Sequence, residues 1–171
     1  MKKICHLTLV LFFCLHVPAF AKTEKIISKD NEYGGDTKEI TYSAGDDKYQ
    51  RGIKRIIISQ DSKGEIKRLE VYANESHSAK EGWYKTVTYY WERSRISEAY
   101  STDADSAKYG FYKMVAYFDS NNRLEKREYY LKEDSLAATF GVHKRVVYYD
   151  SNGRETHVED FDKFGSLLKI E

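Results

Sequence analysis

The sequence predicts an all-β protein, an antiparallel meander of repeated β-hairpins that forms either an open curved sheet or a closed up-and-down barrel. Three observations lead to this fold class: a repeated unit of about 30 residues, a strand-like segment that opens each unit, and a turn motif after most of these segments. Glycines mark the repeat at intervals of 30, 28 and 31 residues, at Gly52, Gly82, Gly110 and Gly141.

A strand is predicted to begin at each of these glycines, because the residues that follow are rich in Val, Ile, Thr, Tyr and Phe. These strands cover residues 52–61, 82–91, 110–119 and 141–150, after a truncated copy at 35–42. Turns that Asp opens and Gly or Asn closes follow at 61–64, 119–122, 150–153 and 162–165. Return strands are predicted at 65–72, 95–100, 123–131, 154–161 and 166–170, for a total of about ten strands.

The connectors between hairpins are predicted to be polar loops. Residues 78–82 and 106–110 share the pattern Ser-Ala-Lys-x-Gly, and residues 136–141 hold a looser version. No window of ten or more residues keeps a 3.6-residue period between caps. Residues 134–139 are therefore the one short helical candidate.

The N-terminal segment has the three parts of a secretory signal peptide. Lys2 and Lys3 precede an apolar run over residues 4–17, and Ala19-Phe20-Ala21 forms a cleavage site. We therefore expect a signal peptide at 1–21 and a periplasmic or secreted protein exported from a bacterium. The remaining 150 of the 171 residues, 22–171, predict a single repeat-built domain. Its units are approximately 35–51, 52–81, 82–109, 110–140 and 141–171.

Composition excludes several classes of protein once the signal peptide is removed. Both cysteines and the one proline, Cys5, Cys14 and Pro18, lie within it, so disulfides, cysteine zinc sites and thiol chemistry are excluded. Residues 22–171 carry 26 basic and 27 acidic side chains, without the basic excess expected of a nucleic-acid-binding protein. No later apolar run approaches the ~18 residues of a membrane-spanning helix.

Alternation along a strand divides the repeat into two faces. Odd offsets from each glycine are uniform, as in Val87, Val115 and Val146, and this face is predicted to be the packed one. A basic column on it should reach water or acids such as Glu70, Glu128 and Glu159, and the column is Arg55, Lys85, Lys113 and Lys144. Even offsets vary between copies, as in many binding arrays. The candidate binding residues on that face are Tyr84, Tyr90, Tyr112, Phe118, His143 and Tyr149.

Two segments resemble a known repeat family. Residues 146–154 read Val-Val-Tyr-Tyr-Asp-Ser-Asn-Gly-Arg, and residues 116–124 read Ala-Tyr-Phe-Asp-Ser-Asn-Asn-Arg-Leu. They resemble the tyrosine-aspartate (YD or RHS-type) repeat, whose core is Tyr-Asp-x-x-Gly-Arg. That family builds long curved antiparallel sheets in secreted toxins and adhesion proteins, with no chemistry in the repeats. The resemblance implies the hairpin architecture.

A second resemblance concerns the start of two units. Residues 82–85 read Gly-Trp-Tyr-Lys and residues 110–113 read Gly-Phe-Tyr-Lys, each followed by paired aromatics. These segments are similar to cell-wall and glucan-binding repeats, which hold choline or sugars between aromatic rings. This resemblance implies a carbohydrate ligand.

Catalytic and metal-binding patterns are weak in residues 22–171. The histidines are His77 in a connector, His143 in the tyrosine column and His157 among acidic neighbours, and structural or surface roles explain each of them. No Gly-x-Ser-x-Gly elbow, phosphate-binding glycine loop or EF-hand spacing occurs. We therefore predict no catalytic residues, metal or cofactor, and a protein that is not an enzyme.

These observations favour an exported, non-catalytic binding or scaffold protein that engages a protein partner, with an immunity or inhibitor role as one form of it. Binding of glycan or peptidoglycan through exposed aromatics is the alternative. A hydrolase is the third hypothesis.

Overall fold

Eleven antiparallel strands form one sheet, in which each strand lies beside its neighbours in the chain. The computed structural model describes residues 22–91 and 94–171, so the predicted signal peptide lies outside the described residues. The strands are β1 (Thr23–Ser28), β2 (Gly34–Thr41), β3 (Ile53–Asp61), β4 (Ile66–Ala73), β5 (Trp83–Trp91), β6 (Ser94–Ser101), β7 (Phe111–Phe118), β8 (Leu124–Leu131), β9 (Lys144–Tyr149), β10 (Glu155–Phe161) and β11 (Leu167–Ile170). The sheet is open, with β1 and β11 at its edges, so the predicted meander is confirmed in its open form.

The first strand, β1, is the one that the repeat does not predict. Residues 23–28 contain neither the glycine start nor the Asp-initiated turn of the later units. Pairing with β2 forms this strand, with Lys25 opposite Glu39.

The Asp-initiated turns are confirmed. Asp61 Oδ1 accepts hydrogen bonds from the N–H groups of Lys63 and Glu65 at 2.9 and 3.0 Å. Gly64 closes this turn at φ +83°. Asp119, Asp150 and Asp162 form the same contacts in their own turns. The turn chemistry is local, which explains why the sequence predicts it.

Short helices, rather than the predicted loops, connect the hairpins. They are α1 (Asp47–Gln50), α2 (Glu75–Glu81), α3 (Asp103–Tyr109) and α4 (Leu136–Thr139), and only α4 lies within the predicted helical segment. The side chains of Asn74 and Thr102 cap the N-termini of α2 and α3, and Gly82 and Gly110 end these helices in the left-handed conformation. Because a helix of two turns is too short to establish a hydrophobic period, its caps are the only signal in the sequence.

The start of each two-turn helix rests on the glycine that opens the same unit. The N–H of Asn74 donates to the carbonyl of Gly52 at 2.8 Å, and the N–H of Thr102 donates to that of Gly82 at 2.9 Å. A Cβ atom on Gly52 would lie 2.6 Å from Cβ of His77. The repeat glycines therefore connect the start of each of these units to the helix at its end, in addition to ending the preceding helix or turn.

Within the described ranges every strand belongs to this one sheet, and no further strand layer covers it. The uniform face is packed as predicted, since Val87, Val115 and Val146 are 1–3% exposed. The opposite face also buries side chains, which are those of Ala99, Ala116, Val147 and Asp160. Burial on both faces comes mainly from lateral contacts between side chains of neighbouring strands.

A β-bulge near the start of β5 changes which way its first side chains point. Trp83 lies opposite Ser101 and Lys85 lies opposite Tyr100, so Tyr84 is the extra residue. An extra residue shifts the alternation of side chains by one position. Trp83 and Tyr84 therefore exchange the faces that strict alternation assigns to them, and Tyr112 is the extra residue of a matching bulge in β7.

Candidate binding surface

A row of glutamates crosses the sheet perpendicular to its strands. Each glutamate lies directly opposite a Val or Ile of the next strand, in the order Glu39, Ile57, Glu70, Val87, Glu98, Val115, Glu128, Val146 and Glu159. We call these alternating residues the glutamate row, and the face of the sheet that carries them the glutamate face. Glu70 and Glu128 are only 5% and 6% exposed. Carboxylates this buried require charged and hydrogen-bonding partners.

Lysine and tyrosine side chains supply these partners. Glu128 accepts hydrogen bonds from Nζ of Lys126 at 2.8 Å and from the hydroxyl groups of Tyr130 at 2.9 Å and Tyr117 at 3.2 Å. A lysine and a tyrosine also contact each of two other glutamates. Lys85 and Tyr72 bind Glu70, and Lys113 and Tyr100 bind Glu98. The sequence pattern Glu-x-Tyr in the return strands places each phenol beside its own carboxylate, and this signal was missed.

A second row lies beside the glutamate row, two residues nearer the end of the sheet that carries the short helices. In this row, cationic side chains alternate with aromatic rings. Its members are Arg55, Tyr72, Lys85, Tyr100, Lys113, Tyr130, Lys144 and Phe161. Nζ of Lys85 lies 5.2 and 5.6 Å from the ring centres of Tyr72 and Tyr100, and also 2.7 Å from the Glu70 carboxylate. These contacts cover the apolar part of the lysine side chain and connect the two rows.

The prediction that side chains of the basic column contact acids of the return strands is confirmed for Lys85, which forms an ion pair with Glu70. Lys113 and Arg55 instead pair with Glu98 and Glu39, which were not among the expected partners. The choice of partner follows from the register between strands, which the repeat alone does not specify.

The environment of the glutamate row favours the charged carboxylate. Burial alone would raise the pKa of Glu128, but hydrogen bonds from Lys126 and Tyr130 and the charge of Lys144 outweigh it, so this pKa lies below its usual 4.5. The same balance lowers the pKa of Glu70.

The phenols beside the row shift in the opposite direction. Burial, followed by the hydrogen bond to Glu98, raises the pKa of Tyr100 above its usual 10.0. Burial and the charge of Glu128 raise the pKa of Tyr117 to about 12. A neutral phenol donates to the carboxylate, whereas a phenolate would repel it.

We expect stability to be lost at both ends of the pH scale. The lowered carboxyl pKa values contribute stability that is present above about pH 4.5 and is lost as pH falls through the folded-state values. The raised phenol pKa values contribute stability that is present below about pH 10 and is lost at higher pH. Urea unfolding midpoints across the pH range, with tyrosinate absorbance, measure both effects. Titration of Tyr100, Tyr117 and Tyr130 near pH 10 in the folded protein would contradict this expectation of raised pKa values.

The six candidate residues do not share one face, so the single-face prediction is wrong. The rings of Tyr84 and Tyr112 lie 6.3 and 6.4 Å from those of Tyr100 and Tyr130, on the glutamate face. Their bulges cause this difference, because each adds one residue to the alternation. Their binding role stays a prediction.

Three of the other candidates point to the opposite face. Arg95 lies opposite both Tyr90 and Phe118 in the strand register, with its guanidinium 4.0 Å from the Phe118 ring centre. Arg127 lies 5.5 Å from the ring centre of Tyr149. Contacts within the sheet thus account for these aromatic side chains, which are half-buried.

The remaining candidate, His143, shares an open groove of about 770 Å³ with Tyr112. This groove lies at the end of the sheet that carries the short helices, and its lining includes Tyr130, Lys144 and Asp162. Side chains that the sequence analysis missed lie at the same end and are largely exposed: Leu136, Phe140 and Phe164. An exposed apolar surface beside a mixed-charge groove is typical of an interaction site.

A second cleft, of about 750 Å³, lies at the turn end of the glutamate face. The rings of Tyr89 and Trp91 stack in it at 5.9 Å, and Tyr33 and Ile96 also line it. The sequence analysis missed this site because Tyr33 comes from outside the repeat units.

The other two histidines have structural contacts. His77, in α2, packs against Gly52 at the start of the same unit. His157 stacks on Tyr148 with ring centres 4.2 Å apart, and its Nε2 lies 3.8 Å from Glu159.

In the ranges 22–91 and 94–171, no helix has the length and apolar character needed to cross a membrane. The same ranges contain no group of three or more His, Cys, Asp or Glu side chains arranged to hold a metal ion. Comparisons with family models, curated proteins and solved structures gave no match. The residues of the candidate binding surface are therefore the basis for a functional proposal.

Proposed function

We propose that this chain is an exported, non-catalytic binding protein that engages a protein partner through Tyr84, Tyr112 and His143 on the glutamate face. One observation carries the proposal. Tyr84 and Tyr112 are 46% and 47% exposed, and their hydroxyl groups make no hydrogen bond to any described residue. The phenols of the second row, in contrast, donate to carboxylates of the glutamate row.

The chemistry of this end of the sheet supports a protein partner. Tyrosine is enriched at protein interfaces because it offers a large amphipathic surface with few rotatable bonds. Exposed Phe140 and Phe164 add apolar area, and His143, Lys144 and Asp162 add polar contacts around the groove. An immunity or inhibitor role against a secreted toxin is one form of this function, and it fits the size of the chain.

The double variant Tyr84→Ser, Tyr112→Ser should lose the partner. If each tyrosine is a hot spot worth about 2 kcal/mol, the pair accounts for a loss on the order of a thousand-fold in affinity. Pull-down from the envelope fraction, followed by titration of the recovered partner, measures this loss. Far-UV circular dichroism checks that the variant is folded, which we expect because both side chains are exposed.

Trp91→Ser is the matched control, since Trp91 is a similarly exposed aromatic on the same face but at the turn end. It should leave recovery of the partner unchanged. Equal recovery by wild type and the double variant would rule out this surface.

Glycan binding is the second candidate, and the cleft of Tyr89 and Trp91 favours it. The exposed ring of Trp91, stacked on the half-buried ring of Tyr89, suits the apolar face of a sugar, and Lys67 and Ser94 in the lining offer donors for its hydroxyl groups. Sedimentation with purified cell wall separates the candidates. If the protein binds glycan, the wild type pellets with the cell wall and the Trp91→Ser variant stays in the supernatant. If it binds only a protein partner, both forms stay in the supernatant.

A further inference from the structure

The face of the sheet opposite the glutamate face carries a continuous apolar surface. Three rows of side chains cross this face between β3 and β7, and in the central strand β5 they contain Trp83, Thr86 and Thr88. None of the side chains in these rows is charged between β3 and β7. We call the three rows the apolar patch, and its larger side chains include Ile56, Ile58, Leu69, Val71, Trp83 and Met114.

No second layer of strands covers the apolar patch. All strands of the described ranges belong to the one sheet, and the side chains of the patch are buried or half-buried mainly by their lateral neighbours. A sheet face this apolar is normally packed against another layer. A depression of about 280 Å³ opens within the patch, and Val71, Ala73 and Trp83 line it. It offers room for an apolar side chain of a partner.

Cationic side chains lie at the margins of the patch. Lys38 on β2 and Arg127 on β8 continue one of its rows at either side, and Arg95 lies beyond it towards the turns. None of the three forms an ion pair with a described residue, and Nε of Arg95 and of Arg127 is buried without a hydrogen-bond partner there. Asp160 on the same face is already held by Arg145 through two hydrogen bonds of 2.8 Å. The margins therefore complement a partner that carries carboxylates.

The size of the patch favours a single segment of a partner over a second copy of the chain. Five neighbouring strands and three rows of side chains cover about 20 Å by 14 Å, or about 300 Å². A standard interface between two folded proteins buries about 800 Å² from each of them. A second copy would also bring the same uncompensated cations to the interface.

We propose that the apolar patch binds an amphipathic segment of a protein partner, with apolar side chains at its centre and Asp or Glu at its margins. One apolar side chain fills the depression beside Trp83, and the carboxylates pair with Lys38, Arg95 and Arg127. An anionic membrane offers the same charge, but binding to it requires apolar side chains that insert below the headgroups. Those of the patch are held between neighbouring strands.

Selection from a display library of random 16-residue peptides on the immobilised protein tests this proposal. We expect the selected peptides to combine Leu or Phe with Asp or Glu. Thr86→Glu, at the centre of the patch, should weaken their binding about tenfold or more, and Lys38→Glu at its margin should act in the same direction. Circular dichroism and urea unfolding check that both variants are folded. Lys38→Glu leaves the patch itself unchanged, so it tests the charge even if Thr86→Glu does not fold.

Two controls separate this surface from the glutamate face. Lys54→Glu changes an exposed lysine that is the extra residue of the β-bulge in β3, outside the three rows. It should bind the selected peptides as the wild type does. The double variant Tyr84→Ser, Tyr112→Ser should also bind them, because the apolar patch does not depend on the proposed function. Peptides rich in Lys or Arg, no enrichment, or equal binding by wild type and Thr86→Glu would overturn the proposal.

Tryptophan fluorescence reports the place of binding. The chain contains two tryptophans, so Trp91→Phe leaves Trp83 in the patch as the single reporter. A selected peptide should shift the emission of Trp83, and saturated binding without a shift would place the peptide elsewhere and refute the assignment. Sedimentation velocity and flotation with phosphatidylglycerol vesicles test the other occupants. Self-association or vesicle binding that Thr86→Glu abolishes would show that a second copy or a membrane, rather than a partner segment, covers the patch.

Discussion

Glu128→Ala is expected to lower the free energy of unfolding by about 3 kcal/mol, although it changes one side chain in a sheet without a second layer. The substitution removes the acceptor of three hydrogen bonds, from Lys126, Tyr117 and Tyr130. The two phenols lose their partner while half-buried, and Lys126 loses its counter-charge. The loss lies at the lower end of the range for a broken buried pair, because the Lys126 side chain is 31% exposed and can turn towards water.

Glu125→Ala on the same strand is the matched control. Glu125 is exposed and is the extra residue of the β-bulge between β7 and β8, so its truncation should change stability by less than about 0.5 kcal/mol. Urea unfolding of both variants, followed by tyrosine fluorescence and circular dichroism, measures the difference. Glu128→Gln should fall between them and should weaken the loss of stability at acid pH. Equal losses for Glu125→Ala and Glu128→Ala would show that the glutamate row does not stabilise the fold.

Gly52→Ala is expected to cost more than about 3 kcal/mol, for two separate reasons. Gly52 has φ +94°, a left-handed conformation that costs an L-residue about 1–2 kcal/mol. The added methyl group would also lie 2.6 Å from Cβ of His77, and closer still to Cγ. Since His77 is fixed near the start of α2, either this helix or the start of β3 must move.

Gly64→Ala separates these two reasons, because Gly64 has a similar φ of +83° but no atom within 4 Å of an added Cβ. It should show the conformational cost alone, which leaves the remainder of the Gly52→Ala loss to the contact with His77. In the Gly52→Ala background, His77→Ala should recover part of the loss, as a double-mutant cycle would measure. Similar losses for the two glycine variants, with no effect of His77→Ala, would argue against a close contact between Gly52 and α2.

The sequence is most informative where structure depends on local chemistry. The Asp of each turn accepts hydrogen bonds from N–H groups two and four residues later, so the turn at Asp61 can be predicted without knowing the rest of the fold. The helices are a contrast. Asn74 and Thr102 are ordinary N-caps, but a helix of seven residues is too short to show a hydrophobic period, and its stability depends on tertiary contacts such as those with Gly52 and Gly82.

The candidate surface shows where the alternation of side chains along a strand does not predict the face correctly. A single extra residue in β5 transfers Tyr84 to the glutamate face, and no feature of the segment 82–85 announces a bulge. Tyr149, without a bulge of this kind before it, stays on the opposite face beside Arg127. Five of the six candidates therefore separate into two exposed tyrosines on one face and three aromatic residues beside arginines on the other, and His143 lies in the groove with Tyr112.

By itself, the sequence determined the repeat, the order of the strands and the positions of most turns, because these depend on residues close together in the chain. Only the tertiary structure decided which carboxylate meets which lysine, as in Lys113 with Glu98, and which tyrosines remain exposed. Those outcomes depend on the register between strands, and one inserted residue changes the face of every side chain beyond it. Tyrosine shows this division, since the phenols of Tyr72, Tyr100, Tyr117, Tyr130 and Tyr148 donate hydrogen bonds to carboxylates within the sheet, whereas Tyr84 and Tyr112 remain exposed.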